Sequence, residues 1–383
     1  MAIYLDNAAT SYPKPESVYR AMDVASRELG GNPGRGGHRM AVAAARLVFE
    51  ARETVAGFFG IADSARLVFT ASATMAINQA LFGLLQPGDR VVTSTAEHNA
   101  VTRPLRVLQE RGVTVVKVAA DARGYVAAED VRRACAEPTA LVVLAHCSNV
   151  TGTVQPIAEL GPWCRRRGIP FLVDAAQSAG LFPIDVETLG IDLLAAPGHK
   201  GLLGPAGTGL LYVREGFELR PLMVGGTGTT SHSDASPTEM PERLECGTLN
   251  TPGLAGLKAG VEFLLQEGLT NLRQRETVLL GQLLGGLGQI PGVQLYGPLA
   301  PAEHGSAVSF NIDGHDPAEV GYHLDHDFDI LTRVGLHCAP DLHRSIGTLP
   351  RGTVRVSPGP FTTPGEIDLL LTAVRSLAGA GRD

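Results

Sequence analysis

The feature that most constrains the fold is an alternation of short apolar runs with longer segments of helical period, between about residues 16 and 215. Segments such as TMAINQALFGLL and IAELGPWCRRRG have helical spacing and end near glycine or proline. This alternation predicts an α/β fold, in which a mostly parallel seven-stranded sheet is covered by helices on both faces. The predicted strands are LVFT (67–70), RVVTS (90–94), VTVVKVA (113–119), ALVVLAH (140–146), PFLVD (170–174), DLLAA (192–196) and GLLYV (209–213).

The chain has 383 residues, which is enough for two domains. A polar, glycine- and serine-rich stretch at 225–248 interrupts the pattern and predicts a long surface loop. After it, the order is helix, helix, strand (AVSFNID), helix, strand (ILTRVG), strand (TVRVS) and helix, which predicts a smaller α+β domain. We expect 16–255 to form the large domain, and 256–383 the small one, joined by 1–15.

Composition excludes several classes of protein. The net charge is −7, so a nucleic-acid backbone would be repelled on average. No apolar run has the length needed to span a bilayer, and the first residues, MAIYLDNAATSYPKP, lack the pattern of a signal peptide. The cysteines show no CxxC spacing. We therefore expect a cytoplasmic protein with reduced thiols and neither membrane nor nucleic-acid partners; the cysteines are Cys135, Cys147, Cys164, Cys246 and Cys338.

One lysine stands in an unusual setting. Lys200 lies in APGHKGLLGPAGTG, a glycine-rich loop between two predicted strands, where surface packing asks for no particular side chain. A lysine held in a partly desolvated loop can lose its proton and form a Schiff base with a carbonyl compound or with pyridoxal phosphate. A structural turn is the alternative.

Polar groups follow strands upstream of Lys200, where ligands gather in parallel sheets. Ala73 and Thr74 open a helix whose free amides can attract a phosphate. Asp174 ends an apolar strand and can keep a pyridinium nitrogen charged. An ordinary strand-to-helix turn capped by Ser72, and a helix cap at Asp174, are the structural alternatives.

Two further strand ends carry a histidine and an asparagine. His98 follows VVTS and can lie on the face of a cofactor and move protons, although a histidine at a helix start is more often a cap or a surface residue. Asn149 follows LVVLAH and can donate a hydrogen bond to the cofactor's phenolic oxygen, although loop asparagines also form turns. The combination at neighbouring strand ends favours a pyridoxal phosphate site.

These motifs occur in a fixed order along nearly the whole chain: DNAAT (6–10), ASATMAIN, EHNA, CSNVTG, DAAQS, GHKG, ECGTLN and RVGLHCAP. In this order they resemble the class V aminotransferases of fold type I. More closely, they resemble the cysteine desulfurase and selenocysteine lyase branch of that family.

The resemblance implies that Lys200 forms the Schiff base with pyridoxal phosphate and that Asp174 pairs with its pyridinium nitrogen. It implies further cofactor contacts from Ala73, Thr74 and His199 at the phosphate, Gln177 and Asn149 at the phenolic oxygen, and His98 on the ring. Thr248, in ECGTLN, resembles the residue that reaches the phosphate from the neighbouring subunit. That contact implies an obligate homodimer with shared active sites.

The resemblance also implies substrate contacts. Arg355 resembles the arginine that clamps the substrate carboxylate, and Asn32 and Arg333 are expected to approach the substrate as well. Cys338 occupies the position of the desulfurase nucleophile. Its neighbours Arg333 and His337 carry positive charge, or can acquire it, and should favour the thiolate.

The implied activity is a pyridoxal phosphate-dependent conversion of L-cysteine to L-alanine with a persulfide on Cys338. The sulfur would pass to an acceptor protein in iron–sulfur cluster assembly or other sulfur metabolism. A selenocysteine lyase, or an aminotransferase that acts on another amino acid and does not need Cys338, is the alternative. A nucleotide-binding module is disfavoured because GxxxxGK[ST] is absent and GGTGTTS does not complete GxGxxG.

Two positions depart from the family pattern. Pro197 stands where a serine commonly contacts phosphate, and Val334 replaces the threonine usual after the loop arginine. We expect no metal centre, although a scaffold could be built from four histidines: His323, His326, His337 and His343.

Overall fold

The computed structural model describes residues 2–34, 36–228 and 234–380. The helices are α1 (Glu16–Glu28), α2 (Arg39–Phe58), α3 (Ala73–Leu84), α4 (Asn99–Glu110), α5 (Ala128–Ala134), α6 (Ile157–Arg167), α7 (Thr251–Glu267), α8 (Leu269–Gly288), α9 (Pro317–Phe328), α10 (Pro340–Ser345) and α11 (Pro364–Ala380). The strands are β1 (Ile3–Tyr4), β2 (Leu67–Thr70), β3 (Arg90–Ser94), β4 (Thr114–Val118), β5 (Leu141–Ala145), β6 (Phe171–Asp174), β7 (Leu193–Pro197), β8 (Gly209–Val213), β9 (Val293–Tyr296), β10 (Val308–Ile312), β11 (Ile330–Leu331), β12 (Arg333–Gly335) and β13 (Thr353–Val356).

The larger sheet has seven strands in the order β2-β8-β7-β6-β5-β3-β4. Strand β8 runs antiparallel to both of its neighbours, and the remaining pairs are parallel. The predicted mostly parallel seven-stranded sheet of an α/β fold is therefore confirmed.

Alternate side chains of each central strand enter two different cores. On β5, Val142 and Leu144 pack in one core, whereas Leu141 and Val143 pack in the other. Because both faces of the sheet are covered, every residue of this strand is buried. Strands buried on both faces read as continuous apolar runs, which is why the sequence predicts them well.

The second sheet is antiparallel, with the order β12-β13-β10-β9. Its core contains side chains of α8 and α11, and also Ile3 and Leu5 from the N-terminal segment. The sequence pattern does not predict β9, and the prediction of ILTRVG as a single strand is wrong. Residues 330–331 pair with β1, whereas 333–335 pair with β13.

The predicted boundary between residues 255 and 256 lies inside α7, whose Leu254 and Leu257 both belong to a core of the larger sheet. The division into two domains at this point stays a prediction. Within the predicted 225–248 loop, 229–233 lie outside the described residues, and the others form neither helix nor strand. None of the described helices is long and apolar enough to cross a bilayer.

Candidate active site

Eight of the predicted cofactor residues line a single cavity of about 230 Å³ at the carboxyl ends of the parallel strands. Because these strands run in the same direction, the loops that follow them meet at one edge of the sheet. The residues brought together there are Ala73, Thr74, His98, Asn149, Asp174, Gln177, His199 and Lys200.

Lys200 lies in a tight turn directly after β7. Two glycines allow this turn to pack against the turn that follows β6: a Cβ on Gly201 would overlap the carbonyl oxygen of Ala179, and a Cβ on Gly180 would overlap that of Gly201. Burial lowers the pKa of Lys200 to about 8, while the nearby Asp174 carboxylate opposes the shift. A neutral amine, which is the nucleophilic form, is therefore accessible near neutral pH.

Asp174 is a buried acidic residue at the end of β6. One of its oxygens accepts a hydrogen bond from the Ala176 amide at 2.9 Å, and only 3% of the residue is exposed. Burial raises its pKa, and neither the Ala176 amide nor the positive charge of Lys200 cancels that shift. A buried acid in this state fits a cationic ligand group, such as a protonated ring nitrogen, which would compensate its charge.

The start of α3 and His199 provide unpaired donors at the same cavity. The Ser72 hydroxyl caps α3 by accepting a hydrogen bond from the Met75 amide at 3.2 Å. The amides of Ala73 and Thr74 lie in the first turn, where N–H groups have no partner within the helix. The buried Nδ1 of His199 also has no partner among the described residues. These groups fit an anionic ligand such as a phosphate.

His98 caps α4 and is neutral. Its Nδ1 accepts a hydrogen bond from the Ala100 amide at 3.0 Å, which leaves the ring proton on Nε2. Burial, with the positive charges of Lys200 and Arg333, lowers the pKa of His98 to about 4. The ring can therefore donate one proton through Nε2 but does not carry a charge at neutral pH.

Glu97 supports the site from behind the cavity wall and is absent from the predicted site residues. Its carboxyl accepts hydrogen bonds from the Ser94 hydroxyl at 2.6 Å and from the Ala145 amide at 2.9 Å. Ala145 pairs with Asp174 across β5 and β6. The hydrogen bond between the Ala145 amide and Glu97 therefore ties the turn that carries His98 to the end of these strands. Burial raises its pKa to about 8. Glu97 belongs to the EHNA motif, in which only the histidine has a predicted role.

The loop that carries Cys338 is fastened to the larger sheet by its backbone. His337 and Cys338 have φ angles of 46° and 61°, in the left-handed region. The His337 carbonyl accepts a hydrogen bond from Asn149 Nδ2 at 2.6 Å, and the Cys338 carbonyl accepts one from the Asn99 amide at 2.8 Å. The loop is thereby held beside Asn149, which lines the cavity that contains Lys200.

An arginine places positive charge beside the Cys338 sulfur. A terminal nitrogen of Arg333 lies 3.6 Å from the sulfur. The expectation that His337 also adds positive charge is wrong, because its Nε2 faces the Thr353 carbonyl at 3.1 Å and burial lowers its pKa to about 2. His337 is a neutral, buried support of the loop.

Arg355 is almost completely enclosed, with 1% of the residue exposed. One terminal nitrogen donates to the Asn149 carbonyl at 3.0 Å, and the other donates to the Asp6 carboxylate at 2.6 Å. Its Nε is buried and has no partner in the described part of the chain. Because a guanidinium has five N–H donors, these two hydrogen bonds leave donors that fit an acceptor such as a substrate carboxylate.

Comparison with known proteins identifies the family. The family model of the class-V aminotransferases matches residues 3–370. This chain belongs to the class-V aminotransferase family. The predicted resemblance is therefore confirmed over nearly the whole length.

Relatives of this class-V aminotransferase include two named probable cysteine desulfurases. The one from Methanothermobacter thermautotrophicus is 39% identical over 99% of this chain and 95% of that protein. The one from Pyrococcus abyssi is 33% identical over 98% of this chain and 94% of that protein.

Solved structures give the same result. The apo structure of a cysteine desulfurase from Thermococcus onnurineus NA1 matches with a TM-score of 0.93 and 34% identity, covering 99% of this chain and 95% of that one. The cysteine desulfurase CsdA from Escherichia coli matches with a TM-score of 0.88 and 30% identity, with the same coverage.

Five predicted site residues are not among those that line the cavity in this class-V aminotransferase: Asn32, Thr248, Arg333, Cys338 and Arg355. Asn32 Nδ2 donates to the Thr248 hydroxyl at 3.2 Å, and neither residue lines the cavity that contains Lys200. Thr248 is exposed. Its contact with a neighbouring subunit stays a prediction, as does the approach of Asn32 to the substrate.

The two departures from the family pattern have different surroundings. Pro197 itself lines the cavity, so the site lacks the hydroxyl that a serine would provide there. Val334 packs against the core of the second sheet. Of the four histidines, two are exposed on α9 and two are buried, and the described residues contain no group of three side chains arranged to hold a metal ion.

Proposed function

We propose that this protein is a pyridoxal phosphate-dependent cysteine desulfurase that converts L-cysteine to L-alanine and leaves the sulfur as a persulfide on Cys338. The observation that carries the proposal is the hydrogen bond from Asn149 Nδ2 to the His337 carbonyl. It links the loop of a cysteine, which lies beside Arg333, to a side chain that lines the Lys200 cavity. The names of the relatives support the same activity.

The donors and acceptors around the cavity fit pyridoxal phosphate. Lys200 would bind its aldehyde carbon, Asp174 its ring nitrogen, and the first turn of α3 with His199 its phosphate. When bound, the cofactor supplies a ring that withdraws electrons from the substrate's α-carbon.

The chain's own side chains then have distinct tasks. Arg355 binds the substrate carboxylate through N–H groups that Asp6 and the Asn149 carbonyl leave free. Lys200, as a neutral amine, accepts the proton from the α-carbon, and His98 can donate a proton through Nε2. The Cys338 sulfur forms an S–S bond with the substrate sulfur while the substrate's C–S bond breaks, so one thiol and L-cysteine become one persulfide and L-alanine.

We further propose a cytoplasmic homodimer in which Thr248 reaches the phosphate of the neighbouring subunit. A sulfur-acceptor protein would take the persulfide sulfur for iron–sulfur cluster assembly or other sulfur metabolism. The exposed position of Thr248 supports the proposed contact between subunits.

The test is a comparison of three variants of the cofactor-loaded enzyme with L-cysteine. Cys338→Ala should lose sulfide release but keep the visible absorbance of the bound cofactor, whereas Lys200→Ala should lose both. Cys135→Ala, which changes a cysteine buried elsewhere, is the matched control and should keep wild-type turnover. Full turnover by Cys338→Ala would contradict the desulfurase role.

The same assay separates the alternatives. A selenocysteine lyase would release selenide from selenocysteine efficiently and little sulfide from L-cysteine. An aminotransferase would consume an α-keto acid and would not depend on Cys338.

A further inference from the structure

The N-terminal segment, residues 5–11, is fastened to the end of β13. The Ser357 amide donates to the Leu5 carbonyl at 2.7 Å, and the Ala8 amide donates to the Ser357 hydroxyl at 2.9 Å. Asp6 lies opposite Ser357 in an isolated parallel bridge. Its side chain is therefore fixed close to Arg355, which lies two residues before Ser357 on the same strand.

The same segment also contacts the loops of the larger sheet. The Ser11 amide donates to the His199 carbonyl at 2.9 Å, immediately before Lys200. Gln177 Nε2 donates to the Ala8 carbonyl at 2.9 Å. Residues 5–11 thus bridge the two sheets and hold Asp6 between Arg355 and the Lys200 turn.

The Asp6 carboxylate is the only acidic partner of Arg355 among the described residues, at 2.6 Å. An arginine that is 1% exposed needs a compensating charge, and Asp6 supplies it. With one terminal nitrogen on Asp6 and the other on the Asn149 carbonyl, the guanidinium plane is fixed at two points. Two of the five N–H donors are thereby used, and the others are left for a ligand.

We propose that Asp6 is a positioning residue for Arg355: it fixes the orientation of the guanidinium that receives the carboxylate of an amino-acid substrate. This inference rests on the proposed function, because it takes Arg355 to be the carboxylate-binding group. Asp6 acts through Arg355 and is not itself expected to contact the reacting atoms.

The experiment measures KM and kcat of the cofactor-loaded enzyme for L-cysteine in Asp6→Ala and Asp6→Asn. Loss of one hydrogen bond between charged groups should raise KM about 10- to 100-fold in Asp6→Ala. The change in kcat should be much smaller, and Asp6→Asn should lie between wild type and Asp6→Ala because its amide oxygen still accepts a hydrogen bond.

Tyr4→Phe is the matched control. The Tyr4 hydroxyl donates to the carbonyls of Asp6 at 3.2 Å and Thr10 at 2.9 Å, so its removal loosens the same segment and spares the Asp6 carboxylate. Its KM should change by about 3-fold or less. An equal rise in KM for Tyr4→Phe and Asp6→Ala, or an unchanged KM in Asp6→Ala, would overturn the proposal.

A binding measurement separates this inference from the proposed function. L-Alanine titrated into the cofactor-loaded enzyme, followed by visible absorbance, requires no desulfurase chemistry. Asp6→Ala should weaken L-alanine binding by a factor similar to its rise in KM, whereas unchanged binding would overturn the inference. If the wild type binds L-alanine but releases no sulfide from L-cysteine, the desulfurase proposal fails while the role of Asp6 is still decided by this titration.

Discussion

Replacing Lys200 by methionine should stabilise the protein in the absence of pyridoxal phosphate. The buried amine has a pKa of about 8, against 10.5 for an ordinary lysine. At about pH 7 the amine is protonated in both the folded and the unfolded chain, so the folded state bears the full cost of burying the charge. This cost is about 3 kcal/mol, from 1.4 kcal/mol for each pKa unit.

The pH dependence follows from the sign of the shift. Between pH 8 and 10.5 the unfolded chain binds more protons at this site than the folded chain, so the wild type gains stability as the pH rises. The advantage of Lys200→Met should therefore fall from about 3 kcal/mol near pH 7 to about 1 kcal/mol near pH 9.5.

The assay is urea unfolding of the cofactor-free proteins at both pH values, followed by circular dichroism. Lys258→Met is the matched control: Lys258 forms an ion pair with Glu50 at 2.9 Å, so its loss should lower the free energy of unfolding. A Lys200→Met variant that is no more stable than the wild type near pH 7, or whose advantage does not change with pH, would refute the reasoning.

Two further predictions concern buried carboxylates. Arg52→Met should lower the free energy of unfolding by about 3–5 kcal/mol in urea titrations, because it leaves Glu245 buried without its partner at 2.6 Å; a loss below about 1 kcal/mol would contradict this. The raised pKa of Glu97 makes the wild type lose stability as the pH rises from 4.5 to about 8. Glu97→Gln keeps the shape without titrating, so its stability relative to wild type should rise over that range in unfolding curves measured at several pH values, and a constant difference would contradict the assignment.

The larger sheet could be predicted because most of its strands are buried on both faces and read as apolar runs. Strand β9 could not, because none of its residues is buried and its apolar pattern is weak. ILTRVG reads as one strand because β11 and β12, with two and three residues, are each too short to show the alternation of a separate strand. The pairing of residues 330–331 with β1 depends on contacts more than 300 residues away in sequence.

The candidate site followed the same rule. Residues next to strand ends, such as Lys200 and Asp174, could be predicted because parallel strands deliver their ends to one edge. Asp6 belongs to the quoted DNAAT motif, yet its partner Arg355 is 349 positions away, and sequence spacing gives no sign of the pair. The prediction of positive charge on His337 is wrong for a similar reason, since only the fold shows that its ring is enclosed beside Thr353.

Mass spectrometry of the Cys338 peptide tests the central claim most directly. The cofactor-loaded enzyme is treated with L-cysteine without reductant or acceptor, alkylated and digested. We expect the Cys338 peptide to gain the mass of one sulfur atom, in step with L-alanine formation, and to gain none in Lys200→Ala. L-Alanine that accumulates while Cys338 stays unmodified, or sulfur found on another cysteine instead, would contradict the account.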